Sequence, residues 1–382
     1  MKEDSLFLQK LLEEARKEID FECVLIFAHA LEGMQDPEKN YFYYDLSRVK
    51  YGRKAYTDIL EEIRGTGRPS ILISDLAGIS LTNRMLWECA NVVASVCIDS
   101  EDPYPVEIGV KKKDYLLWDL QANKAKENDF AFMSGWTNSY NNKEFTREEL
   151  KEYVQDAFLK ISPCIDKSSR LLEVGIGSGM IAFRLIPRCG QYDGCDFSEQ
   201  VLDVLRNRIR ESGFENVNLY QKSADEICEI PASYDCILMS SVTEYFSGYN
   251  YMREVVRQCI DKIDGKGEIF FLDIFDLDRL PDYRQSVADY AREHPDDDYK
   301  RSFQYELYIP RGYWDALQGS LAGIKEVKVT EKIGVIDNEI NRYRYDVQVT
   351  VDKDQGVDRT KQFKPQFGVR QADQSLTGPE LT

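Results

Sequence analysis

Glycines at 175, 177 and 179 follow directly on the apolar run Leu171-Leu172-Glu173-Val174, and a helix-compatible segment, Met180–Leu185, comes after them. Glycine at such a corner permits positive φ and lets a ligand approach the main chain, while the helix beginning there offers unpaired N–H groups. The stretch Glu173, Gly175, Ile176, Gly177, Ser178 and Gly179 is therefore a candidate nucleotide corner joining a buried strand to a helix. A pyrophosphate would sit well on the helix start. Glu173 stands just before the glycines, however, and its carboxylate would repel one. The same carboxylate can pair, directly or through water, with a cation such as the amino-acid end of S-adenosylmethionine (SAM), so the charge favours SAM over NAD. A second acid, Asp196, ends the short strand-like run that starts at Tyr192. It falls roughly 20 residues beyond Gly175, where a carboxylate can accept both ribose hydroxyls.

In an open α/β sheet, ligands gather at the carboxyl ends of the strands. Besides the corner, those ends carry Asp196-Phe197-Ser198, Ser223-Ala224-Asp225 and Met239-Ser240-Ser241. Phe197 can pack on an adenine, Ala224 can face the ring with its N–H, and Asp225 can accept the adenine amino group. A second use of Asp225, capping the helix after it, stays open. The aromatic stretch Phe130–Tyr140, with Phe132, Trp136 and Tyr140, reads either as a hydrophobic plug or as a lid over a planar ligand.

The elements that would hold these residues read as an alternation. Arg170–Val174, Tyr192–Cys195, Asn218–Lys222, Tyr234–Met239 and Gly267–Phe275 read as successive strands. Met180–Pro187 lies in the first helix between them, Ser198 caps a helix to about Ser212, and another helix lies around Tyr251–Ile263. Thr146 with Glu149 three residues on marks a helix start, running to about Ile161. Ile324–Lys332 and Arg344–Val351 read as a late antiparallel pair, and Asp276–Ser302 as a polar, mostly helical insertion. Upstream, Lys2–Ile19 has helical spacing, and Cys23–Ala28, Tyr51–Arg64, Ser70–Ser74, Leu81–Cys89 and Asn91–Ile98 alternate strand and helix as a small parallel α/β unit. Pro103-Tyr104-Pro105 reads as a linker or a strap across the surface.

At 382 residues the chain is long for one domain. We expect an N-terminal subdomain over 1–130 with a structural or docking role and a catalytic domain over 131–351 with its insertion at about 276–320. A flexible tail or linker is expected over 352–382, where hydrophobicity collapses. A net charge of −18 argues against nucleic-acid and anionic-membrane partners. Nine irregularly spaced cysteines, no Cys-x-x-Cys and only two histidines argue for a reduced, cytoplasmic chain with no metal site.

Leu171–Gly179, Asp196-Phe197-Ser198 and Asp225 together resemble the class I SAM-dependent methyltransferases over roughly residues 146–351. A narrower resemblance is carried by three stretches: Gly135-Trp136-Thr137-Asn138-Ser139-Tyr140, Ser240-Ser241-Val242-Thr243-Glu244-Tyr245-Phe246, and the run from Asp337 to Val347. They are similar to the methyltransferase domains embedded in nonribosomal peptide synthetases and to the O-methylating domains of polyketide synthases. The resemblance implies a Rossmann-like, mostly parallel sheet with a late antiparallel strand and a helical lid. It also implies SAM as cofactor, S-adenosylhomocysteine (SAH) as its product, and an acceptor tethered through phosphopantetheine to a carrier protein among neighbouring synthase domains. Trp136 and Tyr140 are expected at the cofactor, and Tyr245 and Tyr343 at the substrate.

Two departures favour a polyketide hydroxyl as acceptor: Glu244 stands where the peptide-synthetase domains carry an amide, and nothing like an adenylation domain flanks the region. Methyl transfer is an in-line displacement in which positioning supplies most of the rate. A hydroxyl acceptor also needs a base. His294, in the insertion, is the expected base, with Glu244 or Glu339 as orienter or alternate. Two plainer readings stay open, an exposed His294 and a Glu339 paired with Arg342. N-methylation, a free-standing small-molecule enzyme and an inactive SAM-binding scaffold remain alternatives.

Overall fold

The computed structural model describes residues 12, 13, 16, 21–27, 36–44, 53–75, 85, 92–98, 105–110, 136–246, 249–300, 303, 306–319 and 321–358. Most of the expected helices Lys2–Ile19 and Leu81–Cys89, the aromatics before Trp136 and the tail beyond 358 lie outside them. The described chain forms two compact units.

The first unit runs through β1 (Cys23–Ile26), β2 (Tyr41–Tyr43), α1 (Arg53–Thr66), β3 (Ser70–Asp75), β4 (Val92–Ile98) and β5 (Pro105–Val110). Its sheet has the order β2-β1-β3-β4-β5. All neighbours are parallel except β4 and β5. Leu25, Phe27, Leu60, Ile63, Leu72, Met85 and Val92 form its core. The strap expected at Pro103–Pro105 is corrected in its described part, because Pro105 opens an edge strand. Proline is tolerated as the first residue of such a strand, and Val106, Ile108 and Val110 then alternate at the strand period.

The second unit carries the glycine corner. Its path is α2 (Arg147–Ile161), β6 (Arg170–Val174), α3 (Ala182–Leu185), β7 (Gln191–Asp196), α4 (Glu199–Glu211), β8 (Val217–Gln221) and β9 (Tyr234–Ser240). It continues as α5 (Tyr249–Lys262), which belongs to this unit from Val255 onward, β10 (Ile263–Phe275), α6 (Leu280–Glu293), α7 (Gly312–Gln318), β11 (Ile324–Glu331), α8 (Glu339–Tyr343) and β12 (Arg344–Asp352). The sheet order is β11-β12-β10-β9-β6-β7-β8. The five strands from β10 to β8 are parallel. β12 runs antiparallel between β10 and β11. This is a mostly parallel α/β sheet with a late antiparallel strand.

From β6 the chain moves outward through β7 to β8, then returns to the other side of β6 as β9. The order therefore reverses between β6 and β9, the place where such sheets bind ligands. Val174 is in register with Met239, so the glycine corner and Ser240-Ser241 end at the same edge. Beneath them lies a core that includes Leu171, Ile176, Leu185, Tyr192, Leu202, Leu205, Leu238 and Phe270. The helix expected over Met180–Pro187 is shorter: one α-turn gives way to a 3₁₀ turn, Ile186–Arg188, in which Ile186 keeps α geometry while Pro187 has no N–H to continue the helical hydrogen bonds.

Candidate active site

All three corner glycines have positive φ, at 71° for Gly175, 51° for Gly177 and 76° for Gly179. Their surroundings separate their jobs. A Cβ on Gly175 would come within 2.5 Å of Val242 Cγ2, and one on Gly179 within 2.8 Å of Leu205 Cδ1, so these two glycines permit close packing. A Cβ on Gly177 would meet nothing nearer than 3.9 Å. Its backbone faces open space, as a ligand-contacting residue must. Ile176 turns the other way, and its side chain fills the room left by Gly194.

Asp196 ends β7 beside this opening. One carboxylate oxygen accepts the Gly177 N–H at 3.1 Å and the other the Ser198 N–H at 3.0 Å. Each oxygen can accept a further donor. Ser198 spends its hydroxyl on capping α4, accepting from the Val201 N–H at 3.3 Å. Glu173 is buried, 4% exposed, and accepts a short hydrogen bond from the Tyr192 hydroxyl. Burial pushes its carboxyl up to about 8; the Tyr192 bond opposes this and the nearby Asp196 charge adds to it. A buried acid holding its proton near neutrality is poised to receive a cation. A carboxyl for an amino group, an open glycine backbone and an acid for hydroxyls fit the donor expected from the sequence. Among the described residues, no group of three or more His, Cys, Asp or Glu side chains could hold a metal ion.

The structure distributes the remaining candidates unevenly. Phe197 and Ser178 are half-buried beside the opening, and Ala224 is buried. Asp225 accepts the Ser223 hydroxyl at 2.6 Å. It does not cap the next turn, which follows Glu226 without a side-chain cap. Met239 is fully buried within the sheet, so its side chain is core. Ser240 and Ser241 stay near the edge, both hydrogen-bonded to the Tyr153 hydroxyl at 2.6 and 3.1 Å. Trp136 packs edge-on against Tyr153, with centroids 5.0 Å apart. Tyr140 belongs instead to an aromatic cluster around Phe275, Tyr283, Phe303, Tyr308 and Tyr343. There its hydroxyl meets Ser286 Oγ at 3.0 Å and burial pushes it up to about 12. Tyr343 stacks on Tyr283 at 4.6 Å, whereas Tyr245 is 41% exposed.

The structure places His294, the expected base, away from the glycine corner's hydrogen-bond network. His294 is exposed at the carboxyl end of α6, stacked on Tyr290 at 4.0 Å, with Nδ1 3.1 Å from the Tyr290 carbonyl of its own helix. That is the plain reading of a residue before a proline. Glu339 is buried and engaged, taking the Ser139 N–H at 2.7 Å and pairing with Arg344 at 3.5 Å. Arg342 pairs with Asp337 instead. Glu244 is buried on the 3₁₀ turn Thr243–Tyr245, and its charge acts on Arg344.

Sequence reasoning passed over several polar groups. Asp273 is fully buried at φ 64°, and Ser241 beside it has φ 54°. Arg344 donates to Asp273 Oδ2 at 2.6 Å. The buried Lys332 lies 2.8 Å from Asp156 and 3.1 Å from Asp346. The available signal was one acid inside the apolar run Phe270–Phe275.

A sheet whose order reverses at a glycine corner, with an acid before the corner and another at the next strand end, defines the class. A family model described as a methyltransferase domain matches residues 172–267. The chain is a class I SAM-dependent methyltransferase. Within that class it is similar to short segments of nonribosomal peptide synthetases. It is 28% identical over 223 residues to the probable non-canonical nonribosomal peptide synthetase CymA of Salinispora arenicola, covering 57% of this chain and 3% of that protein. Chondramide synthase cmdD of Chondromyces crocatus is 29% identical over 243 residues, covering 61% and 6%. The nonribosomal peptide synthetase TES of Alternaria alternata is 28% identical over 228 residues, covering 55% and 4%. The chain thus spans only a few per cent of the length of these relatives.

Among the described residues no helix is long and apolar enough to cross a membrane.

Proposed function

We propose that this methyltransferase acts on an acyl or peptidyl intermediate tethered to a carrier protein, and that the acceptor atom is an amine nitrogen. The observation that carries the reading is Asp196 accepting the Gly177 N–H beside buried Glu173, at the point where the sheet reverses. In this reading Glu173 holds the amino end of SAM, the Gly177 backbone lies along it, and Asp196 holds the ribose. Phe197, Ala224 and Asp225 take the adenine. The donor supplies an electrophilic methyl group on sulfur, and the chain's residues orient it and exclude water.

The acceptor argument turns on the base. Hydroxyl methylation was expected to use His294, which is exposed and bonded to its own helix. An α-amine titrates near pH 8 and needs no strong base to present its lone pair. The similarity to peptide synthetases points the same way. O-methylation is the second reading, favoured by the buried carboxylate of Glu244 on the turn after β9. Residues 1–130 serve in this reading as a structural or docking subdomain, with 131–351 as the catalytic domain.

Mass spectrometry of carrier proteins loaded with aminoacyl or hydroxyacyl groups tests this, with a methyl increment expected on the aminoacyl form. An increment on the hydroxyacyl form alone would reinstate O-methylation. SAH binding with no increment on either would leave an inactive scaffold.

A further inference from the structure

Two non-glycine residues in the left-handed region, Ser241 just after β9 and Asp273 inside β10 near its end, stand together through the Ser241 hydroxyl. The Ser241 N–H donates to the Leu272 carbonyl at 3.1 Å, and its hydroxyl donates to Asp273 Oδ2. Such backbone persists where the surroundings fix it, and it clusters at functional sites. Asp273 Oδ1 is buried without a hydrogen bond, with the Lys332 ammonium 3.9 Å away. Arg344 donates to Asp273 Oδ2 with one arm and reaches Glu339 with the other. Glu339 accepts from Ser139, whose hydroxyl lies 2.6 Å from that of Tyr283. Tyr283 carries Tyr343 stacked on its ring. A continuous buried chain thus leads from Ser241, at the donor edge of the sheet, to the aromatic cluster of α6 and α8.

We infer that Arg344 is a positioning residue that couples the donor edge to the aromatic cluster through Asp273 on one side and Glu339 on the other. This rests on the proposed reading of the corner as the SAM site. The guanidinium is suited to the task because its rigid fork spans two carboxylates, while its face lies over the Phe275 ring at 4.2 Å. A lysine presents all its donors from a single nitrogen and cannot reproduce the two separate arms of the fork or its stacked face. In a buried network each bond depends on its neighbours, so a displacement at Ser240-Ser241 is passed along the chain rather than absorbed by water.

The test is hydrogen-exchange mass spectrometry of the full chain with and without SAH, in wild type, Arg344→Lys and Glu339→Gln. Glu339→Gln keeps the side-chain shape and the acceptor oxygen for Ser139, so it serves if the lysine variant folds poorly. In wild type, SAH is expected to slow exchange at 173–179 and also at 280–293 and 339–343. In both variants the slowing at 173–179 should persist and that at the two distant segments should fall at least fivefold. Undiminished slowing at the distant segments in both variants overturns the inference. So does loss at all three segments, which would make Arg344 a residue that only holds the fold. A wild-type chain with no slowing at 173–179 fails before any variant is compared: it removes the cofactor reading, and the coupling falls with it.

Discussion

Glu173 sits on β6 with its carboxyl held near 8 by burial, so below that pH the free protein keeps it protonated. A cation brought against it favours the ionised form, and binding then releases a proton. SAH affinity should accordingly rise with pH between about 6 and 8, by up to about tenfold per unit, and Glu173→Gln should flatten the profile. Calorimetry in buffers of different ionisation enthalpy measures both affinity and proton release; a wild-type profile as flat as that of the variant would mean that Glu173 does not face the amino group. Gly177→Ala tests the opening itself: it should weaken SAH binding at least tenfold, while costing stability only the about 1–2 kcal/mol of an alanine at positive φ. Gly175→Ala carries the same backbone strain and is also driven into Val242, so it should lower the melting temperature further. The glycines, Glu173 and Asp196 were legible in the sequence because sign of charge and freedom at positive φ belong to the residue type. Asp273 and Arg344 were not. Their meaning lies in the antiparallel pairing of β10 with β12, where the register shifts between Phe271 and Ile274, and a linear pattern does not display it.

The start of α2 is a capping box: Thr146 accepts from the Glu149 N–H at 3.3 Å, and the Glu149 carboxylate accepts the Thr146 N–H at 2.8 Å. Thr146→Ala should cost about 1 kcal/mol of stability, read by urea unfolding, since it strands one amide at the helix start. If stability is unchanged, α2 is held by its buried face alone, through Leu150, Tyr153, Val154, Ala157 and Ile161. This helix, the capped α4 and the five parallel strands were legible because capping residues and apolar runs mark them directly. β2 was missed because three aromatic residues are too short to show a period. β5 was missed because its opening proline masks the alternation behind it. α3 was over-extended because apolar residues continue through Ile186, whereas Pro187 after it lacks the N–H that another α-turn needs.

For the whole molecule, buried ionisable groups make stability depend on pH in opposite directions. Burial alone would raise Asp156, but Lys332 and Lys160 outweigh it and hold its carboxyl down to about 2. Its contribution is present above about 3.8, the unfolded value, and is lost as the pH falls through 2. Burial would lower Lys332, yet Asp346, Asp273 and Asp156 hold it well above its ordinary range. That contribution is intact below 10.5 and fades only at higher pH. Glu173 works against both: its folded value lies above its unfolded one, so the folded state binds the proton more tightly and loses stability as pH rises from about 4.5 to 8. Asp346, raised by burial, has the same sign. The free protein should therefore melt highest at mildly acidic pH and progressively lower towards pH 8. Glu173→Gln should remove part of that decline, and saturating SAH should recover most of it in wild type by supplying the cation that Glu173 lacks. Scanning calorimetry at intervals from pH 5 to 8, on both proteins with and without SAH, measures all of this. If the variant and wild type decline in parallel, Glu173 is already compensated in the free protein, and a cationic partner for it must be sought within the chain rather than in the donor.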